Sequence, residues 1–572
     1  MTPPPSNAKV PPKSAAYGQA SNEQSTTQKP SARQRLVNLA SHLLPTGNTE
    51  FDYIIVGGGT AGAVLANRLT EDSNVTVAVV EGGPTDVGED RVLDLKRWLE
   101  LLGSELDYDY PTTEQPMGNS HIRHSRARVL GGCSSHNTLI SFRPFNEDLD
   151  IWAEKLGCPD WHSKKIQPYG DRLKMNIVPV APQHRNQVAK DWVQASSSVT
   201  GAPIMDDMNG AIVHGGAFDK ACGFFHISYD PATGGRSSAS TAYLHPIMPH
   251  GPYRRNNLHL FLETWTQKLV YDEADPLKVK GVAVRTSAGL EKTLTARKEV
   301  ILCAGAVDTP RLLLHSEVGP KADLEKLGLK CRLDLPGVGW NLQDHPESII
   351  MWSTKDTPTE TTMLSDAGLF LRVLPKEAEM HPHNGPDLMF HIYQTPFADN
   401  TEREGFRRPE HAICMTPNIT RSQGRGKLSL ASADPADKPL LDFKYFEDKN
   451  GYDAKILVAG MKWARKIARQ SPFKEHLIEE VAPGPAIQTD EELSQYARSV
   501  AHTVYHCAST CTMGSPQDPM IVVDQKDLKI KGLKNIRICD ASVLPTLPTA
   551  NPMLTVLMVA ERCADLIHGI NV

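Results

Sequence analysis

A chain of 572 residues is long enough for two or more domains around a large buried cofactor. Its net charge of −6 leaves no electrostatic footprint for nucleic acid or an anionic membrane surface as partner. The ten cysteines are scattered without a CxxC pair, which reads as a reduced thiol set with no metal site, and no apolar stretch approaches the roughly twenty residues of a membrane span.

Residues 1–49 are rich in Ser, Thr, Pro, Gln and Asn, with Glu23 as their single acid. Such a segment cannot bury enough apolar surface to offset its ordering entropy, so a disordered tail is expected to about Lys29. Leucines at helical spacing over Ser31–Leu44 predict a short amphipathic helix. An acid-poor, basic tail also fits an organelle transit peptide. With no terminal address signal, the cytoplasm is the default location.

The apolar, β-branched run Phe51–Val56 predicts a buried parallel strand. Gly57-Gly58-Gly59-Thr60-Ala61-Gly62 follows, then a helical pattern to Leu69, a second strand over Val75–Val80, and Glu81. Each part has a task in holding a dinucleotide. Gly57 permits the tight turn, Gly59 lets a pyrophosphate approach the backbone, and Gly62 lets helix and strand pack closely. Thr60 and Ala61 are expected beside the cofactor, and its phosphates meet unpaired N–H groups and the positive dipole end of the helix that follows. Glu81 can accept hydrogen bonds from a ribose diol. These residues alone do not choose between FAD and NAD. Near the C-terminus, Ile536–Cys539 reads as a short strand and Met553–Ile567 as a helix.

Six separated blocks, in one order, carry a family resemblance. They are Gly57–Gly62 with Glu81; Arg126–Asn137; Gly305–Leu314; Gly337–Glu347; Thr503–His506; and Asp540–Val543 with Asn551-Pro552. From Phe51 to the C-terminus the chain resembles the glucose–methanol–choline oxidoreductases, and within them the members that oxidise choline. The resemblance implies FAD as cofactor. It also implies an α/β fold: a doubly wound, Rossmann-like FAD-binding domain interleaved with an α+β substrate domain built on an antiparallel sheet. The FAD domain is expected over 50–196, 237–346 and 504–572, and the substrate domain over 197–236 and 347–503.

By the same resemblance, His506 is the histidine placed over the flavin, and Asn551 is its partner that holds the substrate oxygen. An amide has no titrating group near neutrality, so Asn551 acts as a hydrogen-bond group and not as a base. His391 and His345 match further active-site histidines, and together the three predict a positively poised cluster around an alkoxide. Gly132, Asn137, Thr138, Asp540, Ala541 and Pro552 are expected beside FAD, and His136 matches a histidine that carries it covalently. Glu347 matches the carboxylate that meets a trimethylammonium group, with Trp98 and Tyr505 as aromatic walls suited to cation–π attraction. Val504 matches a residue that admits O2 to the flavin.

Two stretches depart from the pattern. An adjacent pair of tryptophans is replaced near Leu364 and Ser365, which predicts a missing aromatic wall and a wider pocket. After His506, where relatives have proline and then a Gly-Thr pair, this chain reads Cys507-Ala508-Ser509-Thr510-Cys511. The expected activity is oxidation of an alcohol, choline or a choline-like primary alcohol, with O2 as acceptor and H2O2 as product. A broader alcohol oxidase, a dehydrogenase using a quinone-type acceptor, and a flavin-dependent lyase are the alternatives. A homodimer is implied by the resemblance alone.

Overall fold

The computed structural model describes residues 49–214 and 218–570. The expectations for the tail up to Asn48 lie outside the described residues.

The strand Glu50–Val56 runs parallel between Val77–Val80 and the end of Glu291–Leu302. Leu258–Phe261 extends this parallel sheet on one side and Ile536–Ile538 on the other. Every residue of Val77–Val80 is buried, which explains why this strand is an unbroken apolar run and not an alternating one. An antiparallel hairpin, Thr264–Tyr271 with Val279–Thr286, is attached to the first half of Glu291–Leu302.

Helix α1 (Thr60–Leu69) follows the first strand, and α3 (Met553–His568) packs against it. Between them in sequence, α2 (Gly305–His315) leaves the end of the long central strand. The first turn needs its glycines: a Cβ on Gly62 would stand 2.0 Å from the carbonyl oxygen of Gly57. No other residue type allows α1 to sit so close to the turn.

A second sheet is antiparallel, in the order Leu477–Ala482, Ile350–Thr354, Ala412–Ile419, Leu388–Tyr393, Ala367–Leu371, Ala221–Phe224. All residues of Leu388–Tyr393 and Ala412–Ile419 are buried. The helix Tyr452–Ala468 packs on these two strands. Two short strands, Pro346–Glu347 and His502–Thr503, pair with each other beside Ala412–Ile419. This is the expected combination of a doubly wound sheet and an antiparallel one. Among the described residues, no helix is long and apolar enough to cross a membrane.

Candidate active site

One cavity runs from the ends of the parallel strands to the antiparallel sheet. Its run from the glycine turn to the buried strands of the antiparallel sheet suits a dinucleotide together with a substrate. Its wall includes Gly57, Gly59, Thr60, Ala61, Glu81, Gly132, His136, Asn137, Thr138, Asp540, Ala541, Asn551 and Pro552. The substrate-side residues Trp98, Glu347, His391, Val504, Tyr505 and His506 line it as well. Of the residues singled out in the sequence as catalytic, cofactor-binding or substrate-binding, Gly62 and His345 are not on the wall.

At the nucleotide end the N-terminus of α1 opens onto the cavity without a side-chain cap. The two glycine-rich segments touch there: a Cβ on Gly132, itself at φ +54°, would lie 2.7 Å from the Cα of Gly59. Both oxygens of Glu81 accept main-chain hydrogen bonds, from Gly58 N at 2.9 Å and Gly83 N at 2.8 Å. Burial outweighs those bonds and pushes this carboxyl up to about 7. Glu81 therefore shapes the glycine turn, and a ribose hydroxyl would meet a carboxylate already held by the backbone. Asp540 is similarly committed, accepting from Gly305 N, Thr309 Oγ1 and Ser542 N. Trp265 and His315, not expected from the sequence, line the cavity too, with Arg311 of the Gly305–Leu314 block.

At the other end, His506 is held from three sides. Its main-chain N donates to Asp344 Oδ1 at 3.0 Å, and Asp344 Oδ2 accepts from Tyr445 Oη at 2.6 Å. The preceding residue, Tyr505, has φ +64°, a conformation costly for a bulky side chain. The Arg126 guanidinium, donating to the Tyr505 carbonyl, fastens that turn. Nδ1 of His506 lies 3.0 Å from Nδ1 of His345, and Nε2 lies 3.4 Å from Nδ2 of Asn551.

These contacts assign the protons. The Asn551 amide can only donate through Nδ2, so His506 Nε2 is the acceptor and Nδ1 carries the hydrogen. That hydrogen is donated to His345 Nδ1. Burial, then the neighbouring His345, His391 and Arg126, depress the His506 pKa well below the ordinary 6.5. Burial likewise brings His345 down to about 3. The expected positive cluster is thus corrected: His506 and His345 are neutral, because an imidazolium there would lack solvation. The place of His345 is also corrected: it is off the wall, behind His506, with the two Nδ1 atoms 3.0 Å apart.

Glu347 is 2% exposed and sits where the two short strands pair. His391 Nδ1 is 3.6 Å from its Oε2, and His502 Nδ1 is 3.3 Å from its Oε1. Burial alone would raise the Glu347 pKa, but the two imidazoles outweigh it and hold it below the usual range. Trp98, Tyr393, Phe397 and Tyr505 line the same cavity. The Tyr393 and Phe397 rings are 4.6 Å apart, and Phe397 stacks on Trp98 at 6.3 Å. Leu364 and Ser365 do not line the cavity, and Ser365 is fully buried. Tyr393 and Phe397 supply further aromatic faces on the wall that were not expected from the sequence. His502 was also missed. It lies four residues before His506, but only sheet register places it opposite Glu347.

The family models described as GMC oxidoreductase match residues 51–347 and 422–560. The chain belongs to the GMC oxidoreductase family. It is 42% identical over 531 residues to choline oxidase of Arthrobacter globiformis, covering 91% of this chain and 94% of that protein. Oxygen-dependent choline dehydrogenase of Staphylococcus epidermidis (strain ATCC 12228 / FDA PCI 1200) is 32% identical over 547 residues, covering 91% of this chain and 93% of the relative. Among solved structures, pyridoxine 4-oxidase from Mesorbium loti superposes with a TM-score of 0.79 at 24% identity, covering 91% of this chain and 100% of that one. A formate oxidase superposes with a TM-score of 0.80 at 24% identity, covering 92% and 99%. These last two share the fold. The protein is an FAD-dependent oxidoreductase acting on alcohols. FAD fits the cavity: the uncapped α1 and the Gly59–Gly132 contact form a backbone cradle, and Asn551 Oδ1 is buried on the wall with no hydrogen-bond partner.

Proposed function

We propose that the protein oxidises a cationic primary alcohol, choline or a close amino alcohol, and returns the electrons to O2 as H2O2. One observation carries the reading: a buried carboxylate, Glu347, shares the cavity wall with the aromatic side chains Trp98, Tyr393, Phe397 and Tyr505 and with His506 and Asn551. A trimethylammonium group finds there one desolvated counter-charge and several π faces.

The bound FAD supplies the hydride acceptor. His506 Nε2, neutral and facing the cavity, takes the hydroxyl proton, while Asn551 holds the substrate oxygen. His345 keeps the proton of His506 on Nδ1, so that Nε2 remains basic. Val504 lines the cavity and is the proposed point of O2 access. His136 is the proposed covalent anchor. It is buried on the cavity wall, and burial keeps its ring neutral and nucleophilic.

Oxygen uptake with choline, with H2O2 formed in equal amount, tests the reading. Flavin reduction by choline without oxygen uptake would move the acceptor to a quinone-type compound. Product without any flavin reduction would make the protein a lyase. A bulkier neutral alcohol is the second reading, favoured by the absence of Leu364 and Ser365 from the cavity wall.

A further inference from the structure

The Glu347 carboxylate has an imidazole partner that the proposed chemistry leaves unused. Glu347 and His502 are directly opposite residues on paired antiparallel strands. Cross-strand neighbours of this kind have adjacent side chains, and here His502 Nδ1 lies 3.3 Å from Glu347 Oε1. The other ring nitrogen, Nε2, lies 3.3 Å from the hydroxyl of Tyr505. His502 is 5% exposed and lines the same cavity.

Each ring nitrogen of His502 has an oxygen 3.3 Å away, Glu347 Oε1 beside Nδ1 and the Tyr505 hydroxyl beside Nε2. When the ring is neutral, Nδ1–H faces the carboxylate and Nε2 accepts from the tyrosine hydroxyl. When it is protonated, Nε2–H donates to the same hydroxyl, whose hydrogen rotates away. The ring can thus take up a proton without moving. What changes is the charge beside the alcohol's far end. Glu347 with neutral His502 presents a net negative charge to a cation, whereas Glu347 with protonated His502 is an internal ion pair with none to offer.

Other groups face the pair. His391, Tyr393 and the Cys414 thiol stand on the Glu347 side. Tyr505 and the buried His124 stand on the His502 side. Arg126 reaches the Tyr505 carbonyl, and among these groups it is the permanent cation. His391 touches the other carboxylate oxygen at 3.6 Å, beyond hydrogen-bond range.

We propose that His502 is a specificity-determining residue that sets, by its protonation, whether the pocket accepts a cationic alcohol. This rests on the reading of Glu347 as the cation's partner. The active site would then prefer a quaternary ammonium alcohol while the ring is neutral and lose that preference once the ring is protonated.

The test compares kcat/KM for choline with that for its uncharged isostere, 3,3-dimethylbutan-1-ol, between pH 5.5 and 9 in the FAD-loaded enzyme. Effects of pH on His506 and on hydride transfer are common to both substrates and cancel in the ratio. The expected wild-type ratio falls at least about tenfold toward acid, a change of 1.4 kcal/mol in relative recognition. His502→Asn keeps an N–H near Oε1 but cannot titrate, so its ratio should be high and flat with pH. His502→Gln serves if that variant does not retain FAD. A wild-type ratio independent of pH, or a step that survives in both variants, would overturn the role of His502. A ratio near one at every pH, unchanged in Glu347→Gln, would overturn this inference together with the cationic substrate.

Discussion

Replacing His345 with phenylalanine tests whether the histidine behind the base sets its proton. The ring shape is nearly kept, but His506 Nδ1 loses the acceptor now 3.0 Å away. Either that N–H is left buried and unsatisfied, or the proton shifts to Nε2 and abolishes the base. Leaving such a donor unpaired costs about 1–3 kcal/mol. At 1.36 kcal/mol per factor of ten, flavin reduction should slow by about 5- to 150-fold. The assay is anaerobic stopped-flow mixing with choline at saturation, following flavin absorbance. FAD content should be unchanged, since His345 does not line the cavity. His345→Gln offers a side-chain carbonyl as acceptor and should recover most of the rate. Reduction in His345→Phe as fast as in wild type would refute the proton assignment, as would a glutamine variant as slow as the phenylalanine one.

Three further outcomes follow from particular residues. Ser509 sits at φ +71° with its Oγ buried and unpartnered, so Ser509→Gly should stabilise by about 1 kcal/mol and raise the apparent Tm slightly; a lower Tm would show that the strain is compensated elsewhere. His136→Ala should yield FAD that acid releases into the supernatant, whereas wild-type FAD should precipitate with the protein; release from wild type would remove the covalent link. His345 titrates at about 3 when folded and near 6.5 when unfolded. The unfolded state alone binds this proton between those values, so stability is full above pH 6.5 and falls with acid by about 1.4 kcal/mol per pH unit until about pH 3. Urea melts of wild type and His345→Gln should diverge below pH 6.5, and parallel curves would contradict the shift.

The nucleotide half was legible because its requirements are local. A strand, a glycine turn, a helix and an acid must follow one another within some thirty residues, and Gly57–Glu81 does so. The closing strand and helix were also readable from periodicity, and Ile536–Ile538 and Met553–His568 match it. The substrate half depends on contacts across long separations. His502 meets Glu347 through strand register, and Phe397 reaches Trp98 from a loop some three hundred residues downstream. Nothing local marks either. The neutral state of His506 and His345 was illegible for the same reason, since desolvation belongs to the packed site and not to the residue type. Glu81 shows a subtler limit: its place at the strand end was readable, but its capture by Gly58 and Gly83 was not.

The central claim is that Glu347 recruits a cationic alcohol to a flavin served by His506. It is tested most directly by anaerobic mixing with choline, comparing wild type with Glu347→Gln. Wild-type flavin absorbance should bleach fully at low choline. The variant should need about 30- to 4,000-fold more choline, because removing one partner of a buried charge pair costs about 2–5 kcal/mol. Equal bleaching of the two, or none in wild type while a neutral alcohol bleaches it, would contradict the account.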